Sequence, residues 1–123
     1  MPHSRVHDIK ISQKERLLFR EITNAFWQLT LDDSRLRGII VTRIKLSADR
    51  GLCTIYCYMP EGLEVFREKL EIIKLYKPSM RKALSDTIEA RHTPELRFIF
   101  DDTYQKQEEF EQLMENIKKE DES

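Results

Sequence analysis

A chain of 123 residues, 40% apolar and 35% charged, holds enough apolar side chains for one buried core and one domain. No stretch approaches the roughly 18 consecutive apolar residues of a membrane span, and Met1-Pro2-His3-Ser4-Arg5 lacks the apolar run of a signal peptide, so a cytoplasmic location is expected. The net charge of −1 hides an asymmetry: residues 1–100 carry 18 Lys and Arg against 13 Asp and Glu, whereas residues 101–123 carry 3 against 9.

Residues 1–11 are expected to form a flexible N-terminus. Ser12-Gln13-Lys14-Glu15 then has capping-box spacing, and Leu18, Ile22, Ala25, Phe26 and Leu29 recur at intervals of three and four. This predicts a first helix over 12–30 with one apolar side, followed by a loop at Asp32-Asp33-Ser34-Arg35. From Ile39 to Ser47 the period becomes two, with Ile40, Thr42, Ile44 and Leu46 on one face and Arg43 and Lys45 on the other. Asp49-Arg50-Gly51 supplies turn chemistry, and Cys53-Thr54-Ile55-Tyr56-Cys57-Tyr58 is a second strand, which predicts an antiparallel hairpin closed by Pro60-Glu61-Gly62.

Cys53 and Cys57 lie four residues apart on that strand, roughly 13 Å at about 3.3 Å per residue, too far for a disulfide. Two reduced thiols packed with Ile55 on a buried face are expected. Tyr56 and Tyr58 share the other face, where they either stack on unpaired bases or pack under a helix.

Helical spacing returns with Leu63, Phe66, Leu70, Ile73 and Tyr76 and resumes after Pro78 with Met80, Leu84, Thr87 and Ile88. Proline has no N–H to donate and its ring crowds the preceding turn, so a helix, a sharp kink and a second helix over 79–90 are expected. Glu95 to Phe100 reads as a third strand with Leu96, Phe98 and Phe100 facing the core. Asp101-Asp102-Thr103 caps a last helix over 102–119, whose stripe is Phe110, Leu113, Met114 and Ile117, and residues 120–123 are expected to fray. The class is α+β, in the order helix, strand, strand, kinked helix pair, strand, helix.

The chain's only glycines, Gly38, Gly51 and Gly62, match neither a P-loop nor a dinucleotide-binding pattern, and no nucleophilic triad or metal-ligand spacing is present. No catalytic residue, metal or cofactor is expected. His3 and His7 read as solvated terminal side chains. His92 could act as a base or contact phosphate, but without a nearby sequence partner a simple surface residue is the plainer role. Adjacent Asp101 and Asp102 could hold a divalent metal as in nucleases, but accepting the free N–H groups of the following helix is the simpler role. Asp32 and Asp33 carry the same alternatives.

Between residues 74 and 97 stand Lys74, Lys77, Arg81, Lys82, Arg91 and Arg97 against Asp86, Glu89 and Glu95, a local charge of +3. Lys74, Lys77 and Arg81 are three and four apart and would line one ridge. A break at Pro78 would expose backbone N–H groups beside these cations, the means by which a phosphate backbone is gripped. A solvated helix face is the alternative reading of the same residues.

Two strings carry a family resemblance. Asp33-Ser34-Arg35-Leu36 is similar to the Asp-Pro-Arg-Leu that opens the first strand of the ribosome-binding factor A family. Pro94-Glu95-Leu96-Arg97-Phe98-Ile99-Phe100-Asp101-Asp102 resembles that family's closing signature, and Cys53-Thr54-Ile55-Tyr56 is in register; the likeness covers residues 12–117. It implies a type II KH-like RNA-binding domain over 12–101, and an Ala-x-Gly helix interruption that falls on Tyr76, Lys77 and Pro78. It also implies a monomer that binds 16S-type rRNA of the immature small (30S) subunit without turnover, assisting late maturation and 5′-end processing. Lys77, Arg81 and Lys82 are then the main expected phosphate contacts, with Lys74 and Arg91 behind them and Lys45 and Arg50 further out. A rival reading is a protein-interaction adaptor that uses its sheet edge or acidic C-terminal helix.

Overall fold

A computed structural model of the chain describes the backbone of residues 2–87 and 93–122 and the side chains of residues 13–86 and 93–121. Among the described residues three helices and three strands follow one another as α1 (Pro2–Asp32), β1 (Ile40–Leu46), β2 (Leu52–Tyr58), α2 (Leu63–Thr87), β3 (Glu95–Phe100) and α3 (Asp102–Glu122). A single 3-10 turn, Ser34–Leu36, joins α1 to the sheet.

Helix α1 begins at Pro2 rather than near residue 12. His3 to Asp32 contains neither glycine nor proline, so nothing in the chain stops the helix at the capping-box spacing. Glu15, expected to close that box, instead accepts the Leu46 N–H at 3.1 Å and ties α1 to β1. The predicted stripe is the buried one: Leu18, Ile22 and Phe26 are sealed from solvent, with Ala25 and Leu29 packed beside them.

The sheet has the order β1-β2-β3. β1 and β2 form the expected antiparallel hairpin, and β3 lies parallel to β2 after the α2 crossover. At the hairpin tip the Asp49 carboxylate accepts from the Ser47 hydroxyl and the Gly51 N–H, at 2.7 and 2.9 Å, which fixes Arg50 at φ 61°. Cys53, Ile55 and Cys57 face inward as expected, and both thiols are free. Burial pushes each thiol up to about 12.

The strict alternation expected along β1 fails at one position. The register shifts between Val41 and Arg43, so Thr42 forms a β-bulge and the strand changes face there. Ile40, expected to share a face with Ile44 and Leu46, is 45% exposed, while Val41 packs on the core in its place.

α1 and α2 lie side by side on one face of the sheet, against β1 and β3 respectively. Phe26 of α1 meets Phe98 of β3 at 6.1 Å between ring centroids, and Phe66 of α2 meets Phe100 at 5.7 Å. Each fully buried Leu, Ile or Phe in this layer contributes roughly 1.5–3 kcal/mol. The predicted pair of helices is one: α2 runs unbroken from Leu63 to Thr87 with Pro78 inside it. The reason is phase. Phe66, Ile73, Met80 and Leu84 are all buried at spacings of seven and four, so the apolar stripe passes Pro78 without a change of face. Pro78 itself is exposed, and it lacks the N–H that would bond the carbonyl four residues back.

Candidate nucleic-acid interface

On the unbroken α2, the cations expected to contact phosphate have different surroundings. Lys77 is half-buried, its ammonium 6.0 Å from the Phe98 ring centroid. Arg81 is committed to the chain: its guanidinium donates to the carbonyls of Pro94 and Thr93 at 3.3 and 3.1 Å and stands 3.4 Å from the Glu95 carboxylate. Lys82 is exposed, and Lys74, also exposed, pairs with Glu71 at 3.0 Å. Arg91, His92 and Ile88 lie outside the described residues, and the side chains of His3, His7 and Thr87 lie outside the described side chains.

Lys45 projects from β1 opposite Thr54, and Arg50 stands at the hairpin tip. The Glu95 N–H donates to the Gly51 carbonyl at 2.9 Å, which joins that tip to the segment Arg81 holds. The fold therefore brings Arg50 and Arg81 to the same end of the molecule, with Lys82 adjacent in sequence and Lys74 about two helical turns behind. Because α2 continues through Pro78, it offers no helix start with free N–H groups at that position. The cationic side chains, rather than backbone amides, are what this face offers an anion.

Tyr76 does something its sequence position did not announce. Its hydroxyl donates to the Asp33 carboxylate at 2.6 Å, and Arg35 clasps the same carboxylate through Nη2 at 2.6 Å and Nε at 2.9 Å. Asp33 also accepts the Arg35 N–H at 3.0 Å, capping the 3-10 turn. The Arg35 hydrogen bonds, with that from Tyr76, hold the Asp33 carboxyl well below the usual carboxylate range. The same contact with Asp33 raises the Tyr76 phenol. A bulky residue at the expected interruption is thus a strut between α2 and the α1–β1 loop.

Asp101 caps α3 as expected, accepting the Tyr104 N–H at 3.1 Å. It also takes the Thr42 hydroxyl at 2.6 Å and Arg43 Nε at 3.2 Å, which fixes the bulge of β1 to the end of β3. Burial raises this carboxyl, but Thr42, Tyr104 and Arg43 together outweigh that effect and leave it below its ordinary value. Nothing in the sequence marked Thr42 as its partner, since 59 residues separate them. No group of three or more His, Cys, Asp or Glu that could hold a metal ion occurs among the described residues. No helix there is long and apolar enough to cross a membrane.

A three-stranded sheet with an antiparallel hairpin, a parallel third strand and helices on one face defines a KH-like α+β domain. Two solved structures share it: ribosome-binding factor A from Thermus thermophilus, with a TM-score of 0.63 at 22% identity over 73% of this chain and 93% of that one, and a Thermotoga maritima protein, with a TM-score of 0.59 at 24% identity over 70% and 85%. At that identity the likeness establishes the fold.

The chain belongs to the ribosome-binding factor A family, whose family model matches residues 10–114. Among relatives, the ribosome-binding factor A of Mycoplasmopsis pulmonis is 29% identical over 94% of this chain and 99% of its own length. That of Vesicomyosocius okutanii is 32% identical over 88% and 92%.

Proposed function

We propose that the chain is a cytoplasmic, non-catalytic assembly factor of the small ribosomal subunit, which binds 16S-type rRNA in the immature particle and assists late maturation and 5′-end processing. Membership of the ribosome-binding factor A family supports the ribosomal role. The observation that carries the RNA reading is the set of cations that α2 and the hairpin tip direct toward one end of the fold, Lys74, Lys82 and Arg50 exposed and Lys77 half-buried. Lys77 and Lys82 are the main phosphate contacts, with Lys74 and Arg50 around them. Arg81 contributes the exposed edge of a guanidinium whose first task is to hold Thr93 and Pro94.

The test is co-sedimentation with immature and mature small subunits across a salt series. Removing one cation that neutralises a phosphate should reduce the slope of log affinity against log salt by about 0.7–0.9. Lys77→Gln with Lys82→Gln should therefore flatten it by about 1.5. Unchanged binding and slope in that double variant would remove α2 from the interface.

One observation favours a second reading, a protein-interaction adaptor: α3 leaves Phe110 and Leu113 61% and 55% exposed on a strongly acidic helix. An adaptor unrelated to ribosomes would sediment with neither kind of subunit.

A further inference from the structure

The face of the sheet opposite α1 and α2 carries a chemistry that the α2 reading does not use. In register across the three strands lie two rows: Arg43, Tyr56 and Ile99, and beside them Lys45, Thr54 and Arg97. Arg43, Lys45 and Arg97 are exposed, while Thr54, Tyr56 and Ile99 are half-buried. None of the six is acidic, and Asp101, which anchors Arg43, is turned inward and only 3% exposed. The Arg43 guanidinium lies over the Tyr56 ring, 3.8 Å from its centroid, and its side chain remains 52% exposed. Among the described residues the approach of α3 is at the far end of β2, where Tyr104 meets Tyr58 at 4.7 Å.

We infer that this open face is a platform for single-stranded RNA, in which an unpaired base stacks on the Arg43–Tyr56 pair while Lys45 and Arg97 take the flanking phosphates. The ligand class rests on the rRNA reading above; the site does not. Three features specify an unpaired strand. An aromatic ring capped by a guanidinium offers a π surface that every base can use, but only when the base is out of its duplex. Lys45 and Arg97 stand two strands apart, roughly 10 Å at about 4.8 Å per strand, on either side of the small Thr54. The surface is also held in place before binding, since the bulge at Thr42 and the Asp101 contact fix Arg43, so little side-chain order remains to be imposed by the ligand.

Fluorescence anisotropy of a labelled twelve-nucleotide oligouridine and a twelve-base-pair RNA duplex, each titrated with the full chain, tests this. The oligouridine should bind more tightly than the duplex, and Tyr56→Leu should weaken it about tenfold, the effect of losing one stacked base. Lys45→Gln with Arg97→Gln should reduce its salt slope by about 1.4, as for two contacts to a single strand. That second variant changes only exposed side chains, so it decides the matter even if Tyr56→Leu lowers the melting temperature. Oligouridine affinity unchanged in both variants, or a duplex bound as tightly as the single strand, would overturn the platform. Subunit co-sedimentation in parallel separates the two readings. Subunit binding without oligouridine binding sinks the platform alone, whereas oligouridine binding that needs Tyr56, without subunit binding, supports the platform and sinks the assembly role.

Discussion

Helices α2 and α3 announce themselves in sequence by the same sign, an aromatic followed by aliphatic residues at helical spacing, and the fold treats them oppositely. On α2, Phe66, Ile73, Met80 and Leu84 are at most 2% exposed. On α3, Phe110, Leu113, Met114 and Ile117 are 61, 55, 49 and 44% exposed. The difference lies in where the chain places each helix. α2 is a crossover between two parallel strands and must lie along the sheet, whereas α3 leaves the end of β3 and is held at its first turn by Asp101 and by Tyr104 against Tyr58. Periodicity reports that a helix has an apolar side; only topology decides whether anything covers it.

The sharpest way to break that comparison is to remove the aromatic from the covered helix. Phe66→Ala should cost about 3–5 kcal/mol in urea or thermal unfolding, because the side chain loses its burial and its contact with Phe100 and leaves a cavity. A loss below about 1 kcal/mol would mean that the core does not depend on α2 as described.

The joint between β3 and α3 comes next. Asp101→Ala leaves the Thr42 hydroxyl and the Arg43 side chain without their acceptor and uncaps α3, at a cost of about 1–3 kcal/mol. The pH dependence has a definite sign. A carboxyl held below its ordinary value of 3.8 adds stability that is complete above that value and is lost as pH falls through its lower folded value. Asp33 acts in the same direction, so stability should fall below about pH 4, and Asp101→Asn should make that fall shallower. An acid transition identical in wild type and variant would show that Asp101 does not contribute to it.

Pro78 sharpens the comparison from within α2. Restoring a donor in an unbroken helix, Pro78→Ala should stabilise the fold by about 2 kcal/mol, since the missing helical bond outweighs the freedom the unfolded chain regains. Destabilisation would instead show that the proline ring is required where it stands.

Most of the fold was legible in the sequence because burial imposes period. The stripes of α1 and α2, the inward Cys53, Ile55 and Cys57, and the alternation of Leu96, Phe98 and Phe100 all follow from it. What was not legible shares one cause. The Thr42 bulge, the Tyr76–Asp33 bond and the use of Glu15 by the Leu46 N–H join residues 31 to 59 positions apart, and local pattern carries no trace of such partners. Pro78 misleads for a related reason: its local penalty is plain, but the apolar stripe on both sides of it is what keeps the helix whole. The candidate site was legible as a run of cations, not as an arrangement. Arg81 shows why, since nothing near it in the chain signals that its guanidinium is held by Thr93 and Pro94.

The smallest effect is the most telling for α3. Phe110→Ala removes a large aromatic from a helix, yet at 61% exposure the side chain has little burial to lose, and alanine is the better helix former. Stability should change by no more than about 0.5 kcal/mol, against about 3–5 for the same substitution at Phe66. The pair of measurements is a direct readout of cover. If Phe110→Ala costs as much as Phe66→Ala in the isolated chain, α3 is folded back onto the body in solution. If the cost is small, the acidic face of α3 stands free, and its apolar stripe is open to whatever the chain binds.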